Sequence, residues 1–273
     1  MRFALQRWFG LTVVLFLCSE IFWLHHRYAA EMPHLSYLTG WALFAVILLL
    51  TLYNGRKKLP FLPLFSSEAW LQFHIYAGLL TGMLFLVHLN YRIPSGWFQW
   101  MLTWLYLLVM ASGVFGLVLS RAIPRRLTTR GGEVLFERIP AIRRRLQEQT
   151  EQLALQSVSE SKSGTIAEFY LRELKDFFEG PKHLILHLIE VRSPLNRMLI
   201  KINDVQRYLN EQERSTMEKI ASLVRQKDGL DYHCALQRLL KVWLFAHIPL
   251  TYSLLLFTLA HVVLVFAFSG GAR

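Results

Sequence analysis

The chain is poor in cysteine and lacks the glycine-rich motifs that bind nucleotides. Its two cysteines, Cys18 and Cys234, lie on different segments, so they form neither a disulfide framework nor a C-x-x-C metal motif. An ordinary iron–sulfur cluster needs four cysteine ligands, which excludes a cluster held by these residues alone. No G-x-G-x-x-G follows a strand pattern and no P-loop is present, so we predict no nucleotide site.

Acidic residues are also outnumbered, with 19 Asp and Glu against 30 Lys and Arg, and the net charge is +11. Such a surplus is typical of proteins that bind nucleic acid. Here, however, Lys and Arg flank long apolar blocks on one side, as the positive-inside rule describes for membrane proteins. We therefore predict contact with membrane lipid and no nucleic-acid partner.

Five apolar blocks predict membrane spans, because each is long enough to cross the hydrocarbon layer. The first also resembles a signal peptide, with a basic start and a short apolar core. We predict a retained span, because Tyr28-Ala29-Ala30 is a poor cleavage site. The predicted spans are residues 8–24, 37–53, 70–91, 97–120 and 242–268.

Residues 121–241 form the only polar block, with 22 Lys and Arg against 16 Asp and Glu. Its apolar periodicity predicts helices over Pro140–Val158 and Thr165–Glu179, and a longer helical region over Pro194–Lys227. The predicted fold is thus an all-α membrane protein, a five-span helical bundle with a mostly helical insert between spans four and five.

Three regions follow from this division. Residues 1–120 form a four-span membrane region, residues 121–241 a cytoplasmic helical domain, and residues 242–273 a fifth span with a short tail. The flanking charges predict that the insert is cytoplasmic and that the C-terminus lies outside.

Spans three and five each carry two histidines fourteen residues apart: His74 and His88, and His247 and His261. Fourteen residues fall about 40° short of whole helical turns and rise about 21 Å, so both histidines of a span share one face. The charges give the two spans the same direction. This pairs His74 with His247 near the cytoplasmic side, the inner pair, and His88 with His261 near the outside, the outer pair. In antiparallel spans His74 would instead pair with His261, and His88 with His247. The equal spacing also allows this arrangement.

Two histidines that face each other suit the axial ligation of a b-type haem. Zinc or copper needs three or four ligands converging at one depth. A single histidine in a span is often a packing residue or part of a proton path, but four at equal spacing favour haem. We therefore predict two haem b groups, one at the inner pair and one at the outer pair, with these four histidines as the metal ligands.

Neighbouring residues fit the same interpretation. Gly78 and Gly82 follow His74 at i+4 and i+8, where missing side chains leave room for a porphyrin, although G-x-x-x-G spacing is also typical of a helix contact. Arg92 lies four residues beyond His88, and Lys241 just precedes the fifth span. Both are predicted to meet haem propionates, and the alternative is a base that snorkels to the membrane surface.

The paired histidines resemble those of the di-haem cytochromes b, including the cytochrome b of quinol–cytochrome c complexes, and transmembrane ferric reductases use a similar scheme. The sequences R-A-I-P-R-R-L after the fourth span and H-I-P-L in the fifth look like prokaryotic cytochrome b subunits of membrane electron-transfer complexes. The resemblance covers the spans, roughly half of the chain, and implies two haems b and a location in the bacterial inner membrane. The chain differs in its long helical insert and in lacking the flavin and nicotinamide domain of the large ferric reductases.

Our hypothesis is that the chain is the electron-transfer subunit of an oxidoreductase complex. It would carry electrons across the bilayer between a quinone or quinol and partner redox subunits, such as iron–sulfur proteins or multihaem cytochromes. Two alternatives stay open: a free-standing transmembrane ferric reductase, and a non-redox membrane scaffold or sensor whose output is the cytoplasmic domain.

Overall fold

The computed structural model describes residues 2–28, 35–56, 67–128, 134–161 and 164–269, and every regular element in these ranges is a helix. The predicted tail at 270–273 and the pair Ala29-Ala30 lie outside the described residues. A 3-10 helix (Phe136–Arg138) precedes α5, and a π-helical turn (Tyr170–Leu174) joins α6 to α7. The α-helices are α1 (Arg2–Tyr28), α2 (Leu35–Arg56), α3 (Ser67–His88), α4 (Trp97–Thr128), α5 (Ile139–Ser161), α6 (Thr165–Phe169), α7 (Lys175–Glu179), α8 (Leu184–Leu188), α9 (Ser193–Gln206) and α10 (Glu211–Ser269).

Five of these helices, α1 to α4 and α10, are long and apolar enough to cross a membrane. The predicted fold class, an all-α membrane protein with five spans, is confirmed. The helices extend beyond the predicted spans, since α1 reaches Tyr28 and α4 reaches Thr128. In contrast, α3 ends at His88, three residues before the predicted end of its span.

The end of α3 is set by a left-handed turn. The N–H of Asn90 donates to the carbonyl of Val87 at 2.9 Å, and the N–H of Tyr91 donates to the carbonyl of Leu86 at 3.1 Å. Asn90 has a positive φ of 52°. This pair of hydrogen bonds is the Schellman motif that terminates many helices. It places His88 in the last turn of α3.

The chain divides into two compact units, of which the first comprises Met1–Val118 and Trp243–Arg273. In this unit α3 packs against both α1 and α2. Many of its large apolar side chains are exposed, as suits helices that face lipid tails. A small core joins α2, α3, α4 and α10 and consists of Leu43, Ile47, Leu84, Tyr106 and Leu254.

The second unit, Leu119–Val242, has its own hydrophobic core. The predicted helix Pro140–Val158 is confirmed as α5, and the predicted Thr165–Glu179 is confirmed as the continuous run α6, π-turn and α7. The predicted longer helical region over Pro194–Lys227 is confirmed as helical, and a break between Gln206 and Glu211 divides it into α9 and the first part of α10.

A capping box explains the break. The side chain of Asn210 accepts a hydrogen bond from the N–H of Glu213 at 2.8 Å, and the carboxylate of Glu213 accepts one from the N–H of Asn210 at 3.0 Å. This reciprocal pair satisfies two backbone donors that a new helix leaves unpaired. From there α10 runs for 59 residues to Ser269, with Pro249 inside it.

Candidate haem site

The outer pair comes together in the first unit. His88, at the end of α3, faces His261 of α10, with ring centroids 6.3 Å apart and ring planes at 89°. The ring of Phe98, from α4, stacks on His261 at 6.4 Å. The helices α3, α4 and α10 therefore bring the rings of His88, His261 and Phe98 next to one another.

The His88 ring is held by α2. Its Nδ1 lies 3.1 Å from the carbonyl oxygen of Ser36. A carbonyl only accepts, so Nδ1 carries the proton and the neutral ring leaves Nε2 as a ligand atom. A Cβ on Gly40 would stand 2.9 Å from Cε1 of His88. Glycine at this position lets α2 lie directly against the imidazole.

The outer pair opens on a cavity of about 400 Å³, which lies within the range of roughly 300–1,000 Å³ usual for ligand sites. Both imidazoles line it together with Arg92, Gly40 and Phe85. Arg92 was predicted beside His88, and the structure brings it to the same cavity. The cavity thus combines an apolar wall, two imidazoles and one fixed positive charge.

The centroid separation of the outer pair can be compared with that of two imidazoles on one metal ion. Metal–imidazole bonds are about 2.0–2.1 Å long and a ring centroid lies about 1.1 Å from its nitrogens, so opposed ligands have centroids roughly 6.3 Å apart. The rings of His88 and His261 stand at 6.3 Å. Among the described residues no three or more His, Cys, Asp or Glu gather into a group that would hold a metal ion, and a haem needs only two protein ligands.

At the inner pair, His247 is held by α4. Its Nδ1 lies 3.1 Å from Oγ of Ser112, and the indole of Trp243 stacks on the imidazole at 5.3 Å. The indole N–H donates to the carbonyl of Ser112 at 2.9 Å. A Cβ on Gly116 would overlap the Trp243 ring, so the glycine makes room for the stack.

His74 occupies a different environment. Its ring lies 5.0 Å from that of Tyr53, and its Nδ1 is buried without a hydrogen-bond partner in the described part of the chain, although the backbone of Leu50 approaches the ring. An unpaired buried nitrogen costs about 1–3 kcal/mol. His74 and His247 lie within electrostatic range of each other.

Gly78 and Gly82, both predicted to leave room for a porphyrin, differ in the space beside them. Within the described part of the chain nothing lies within 4 Å of a Cβ built on Gly78, whereas a Cβ on Gly82 would contact the end of Met110 at 3.3 Å. Gly78 therefore borders open space, as a porphyrin requires. Gly82 has a close neighbour on α4, which fits the alternative interpretation of this glycine as part of a helix contact.

Lys241 has partners in the second unit. Its ammonium group lies 3.1 Å from the carboxylate of Glu137 and 3.8 Å above the ring of Phe136. Lys241 and Glu137 are both exposed. A backbone hydrogen bond, and after it the ion pair with Lys241, lower the pKa of the Glu137 carboxyl. Its role toward a propionate stays a prediction.

Four residues of the site were missed by sequence reasoning: Ser36, Gly40, Ser112 and Gly116. All belong to α2 and α4, the helices without paired histidines. A small-residue run, A-S-G-V-F-G at 111–116, is the one pattern that indicates a close helix contact there. The comparisons add nothing to this geometry, because no protein-family model, curated protein or solved structure matches the chain.

Proposed function

We propose that the chain is a di-haem b membrane subunit that carries electrons across the bilayer. The observation that supports this most directly is the outer pair, in which two imidazoles stand at the separation of opposed metal ligands and border one cavity with Arg92. The inner pair adds a second set of histidines fourteen residues earlier on the same two helices.

In this proposal each histidine contributes a neutral ring nitrogen, and the groups that hold the rings fix their orientation. Ser36 accepts the Nδ1 proton of His88, and Ser112 holds Nδ1 of His247. Such partners orient a ligating imidazole and raise its basicity. A bound haem supplies one-electron chemistry at its iron.

The proposal gives the surrounding residues three further tasks. Apolar side chains such as Phe85 exclude water from the outer cavity. Arg92 balances the negative propionates there, and the open space at Gly78 accommodates a porphyrin at the inner pair. The two pairs are separated by about 21 Å of helix rise, which spans most of a hydrocarbon layer roughly 30 Å thick.

We further propose that a quinone or quinol exchanges electrons at one pair and that partner redox subunits, iron–sulfur proteins or multihaem cytochromes, exchange them at the other. The chain would lie in the bacterial inner membrane with residues 121–241 in the cytoplasm. An electron-transfer subunit of this kind needs no reaction site of its own beyond the two haems.

The first experiment is a reduced-minus-oxidised spectrum of the purified chain, with haem quantified per chain. We expect a b-type α band and two haems. His88→Ala and His261→Ala should each remove one haem and leave the other, and His74→Ala and His247→Ala should remove the remaining one. His26→Ala, an exposed histidine of α1, is the matched control and should retain both.

Two results would contradict the proposal. One is a purified chain with no b-type absorption. The other is a double variant, His74→Ala with His88→Ala, that still binds two haems. To separate a quinol-linked subunit from a ferric reductase, haem reduction by menaquinol analogues is measured with and without ferric chelates: a reductase reoxidises its haem when the chelate is added.

A further inference from the structure

The cavity beside the outer pair ends before it reaches the inner pair. On each of the four helices that line it, one lining residue lies nearest the inner pair: Ile47 of α2, Phe85 of α3, Tyr106 of α4 and Leu254 of α10. All four belong to the small core of the first unit or pack against it. The described lining of the cavity includes neither histidine of the inner pair. These four side chains therefore form the inner wall of the cavity.

The sequence places this wall at the midpoint between the two pairs. Leu254 lies seven residues from each histidine of α10, and Thr81 lies seven residues from each histidine of α3. Seven residues fall about 20° short of two helical turns and rise about 10.5 Å, so Leu254 and Thr81 share a face with the histidines of their helices. Both residues are 3% exposed. The midpoint is thus closely packed on α3 and on α10.

Tyr106 of α4 reaches this midpoint. Its hydroxyl donates to Oγ1 of Thr81 at 3.1 Å, and its ring stacks on Phe85 with the centroids 4.0 Å apart and the planes at 19°. The ring also belongs to the core that contains Leu254, and Tyr106 is 5% exposed. One aromatic side chain therefore fills the wall where α3, α4 and α10 meet.

Both hydroxyl protons of this layer are used inside it. The proton of Tyr106 goes to Thr81, and the hydroxyl of Thr81 donates in turn to the carbonyl of Gly78 at 2.6 Å. The other members of the wall, Ile47, Phe85 and Leu254, are apolar. A buried water needs roughly two to four polar partners. The layer offers a water neither of its two O–H donors, so we expect it to be dry.

The layer is also thin. Gly78 lies three residues from Thr81 in the direction of the inner pair, which is about 4.5 Å of helix rise. A Cβ built on Gly78 meets no atom of the described residues within 4 Å. Tyr106 and its immediate neighbours thus separate the outer cavity from the open space at Gly78. Removal of the Tyr106 side chain would join the two spaces.

We propose that Tyr106 is a seal that stops water and protons from passing between the outer cavity and the inner pair. Protons cross a membrane protein along chains of ionisable groups or water, and the Tyr106 ring interrupts such a chain at its midpoint. The inference goes beyond the proposed function, because it concerns what must not cross the bilayer with the electron. It does not depend on haem.

The first test measures whether water reaches the midpoint. The full chain, with any haem extracted, carries Cys18→Ala, Cys234→Ala and Thr81→Cys, and a small water-soluble thiol reagent is added. We expect the new cysteine to stay unmodified beside Tyr106 and beside Tyr106→Phe, which keeps the ring. It should react when Tyr106→Ala is present. Ser36→Cys, in the lining of the outer cavity, is the positive control for entry of the reagent.

Equal reactivity of Thr81→Cys beside Tyr106 and beside Tyr106→Ala, whether high or low, would overturn the proposal. Unchanged circular dichroism shows that the alanine variant is folded. Tyr106→Leu is measured beside it, because leucine leaves a smaller gap than alanine. Its cysteine should react more slowly than that of the alanine variant and faster than that of the original chain.

The second test measures proton passage. The haem-free full chain is reconstituted in liposomes that enclose a pH-sensitive dye, and the external pH is lowered. We expect Tyr106→Ala to acidify the interior faster than the original chain does. The matched control is Tyr252→Ala, because Tyr252 lies two residues from Leu254 but is 47% exposed; it should leave the leak unchanged. Equal leaks in the two variants would refute the seal. Haem content enters neither test, so the seal and the proposed function stand or fall separately.

Discussion

Replacing Gly78 by alanine should make the chain more stable and its haem binding weaker. A Cβ at this position meets no atom of the described residues within 4 Å, so the substitution creates no clash with them. Alanine is favoured over glycine inside a helix by roughly 0.5–1 kcal/mol. If a porphyrin fills the open space beside Gly78, the new methyl group competes with it, and haem content at the inner pair falls.

Gly82→Ala is the internal control. It lies one turn further along α3 and gains the same helix propensity, but its Cβ would meet the flexible end of Met110 at 3.3 Å. Met110 must shift by a few tenths of an ångström, which offsets part of the gain in helix propensity, and both haems remain. The difference in haem content between the two variants therefore reports on a group that lies next to Gly78.

The assay measures two quantities on each purified variant: the haem bound per chain, from the difference spectrum, and the midpoint of thermal unfolding after haem extraction. We expect Gly78→Ala to lose the inner haem while its haem-free form melts at a higher temperature. Equal haem content in Gly78→Ala and Gly82→Ala would refute the assignment of the open space to a porphyrin.

Three further predictions concern single groups. Gly40→Ala forces the His88 ring to move, because the new Cβ would lie 2.9 Å from it, so the haem content should fall from two to one while the inner haem stays. Ser112→Ala removes the partner of His247 and should weaken inner haem retention by roughly 10–100-fold in a transfer assay to apomyoglobin. Burial raises the pKa of the Asp231 carboxyl above its ordinary value of 3.8. The folded state then holds this proton more tightly than the unfolded chain, so the free energy of unfolding falls as pH rises above 3.8, and Asp231→Asn should remove this slope in urea titrations.

The features that depend on composition and on helical periodicity could be predicted from the sequence. Long apolar blocks predicted the five helices, and the fourteen-residue spacing predicted which histidines share a face of α3 and of α10. These features depend on one helix at a time. The i+4 and i+8 relation of Gly78 and Gly82 to His74 also follows from helix geometry alone.

What the sequence did not predict depends on contacts between helices. Ser36 and Ser112 are ordinary polar residues at the end and in the middle of apolar helices, and only the packing of α2 and α4 brings them to His88 and His247. The break before α10 is a different case. The Asn210 to Glu213 spacing is a readable capping box, but the prediction of a longer helical region did not place a helix boundary there.

The two pairs differ in the kind of group that holds each imidazole. The carbonyl of Ser36 can only accept, so it fixes the proton of His88 on Nδ1 and leaves Nε2 available. The hydroxyl of Ser112 both donates and accepts, so it permits either tautomer of His247. An iron atom at the outer pair would thus meet the His88 tautomer whose Nε2 is free to bind. At the inner pair, iron binding would itself select the tautomer of His247. Outer haem binding should therefore tolerate Ser36→Ala, because the main-chain carbonyl remains, while inner haem binding should not tolerate Ser112→Ala. Equal loss of haem in both variants would show that the serine side chains act through packing rather than through the imidazole proton.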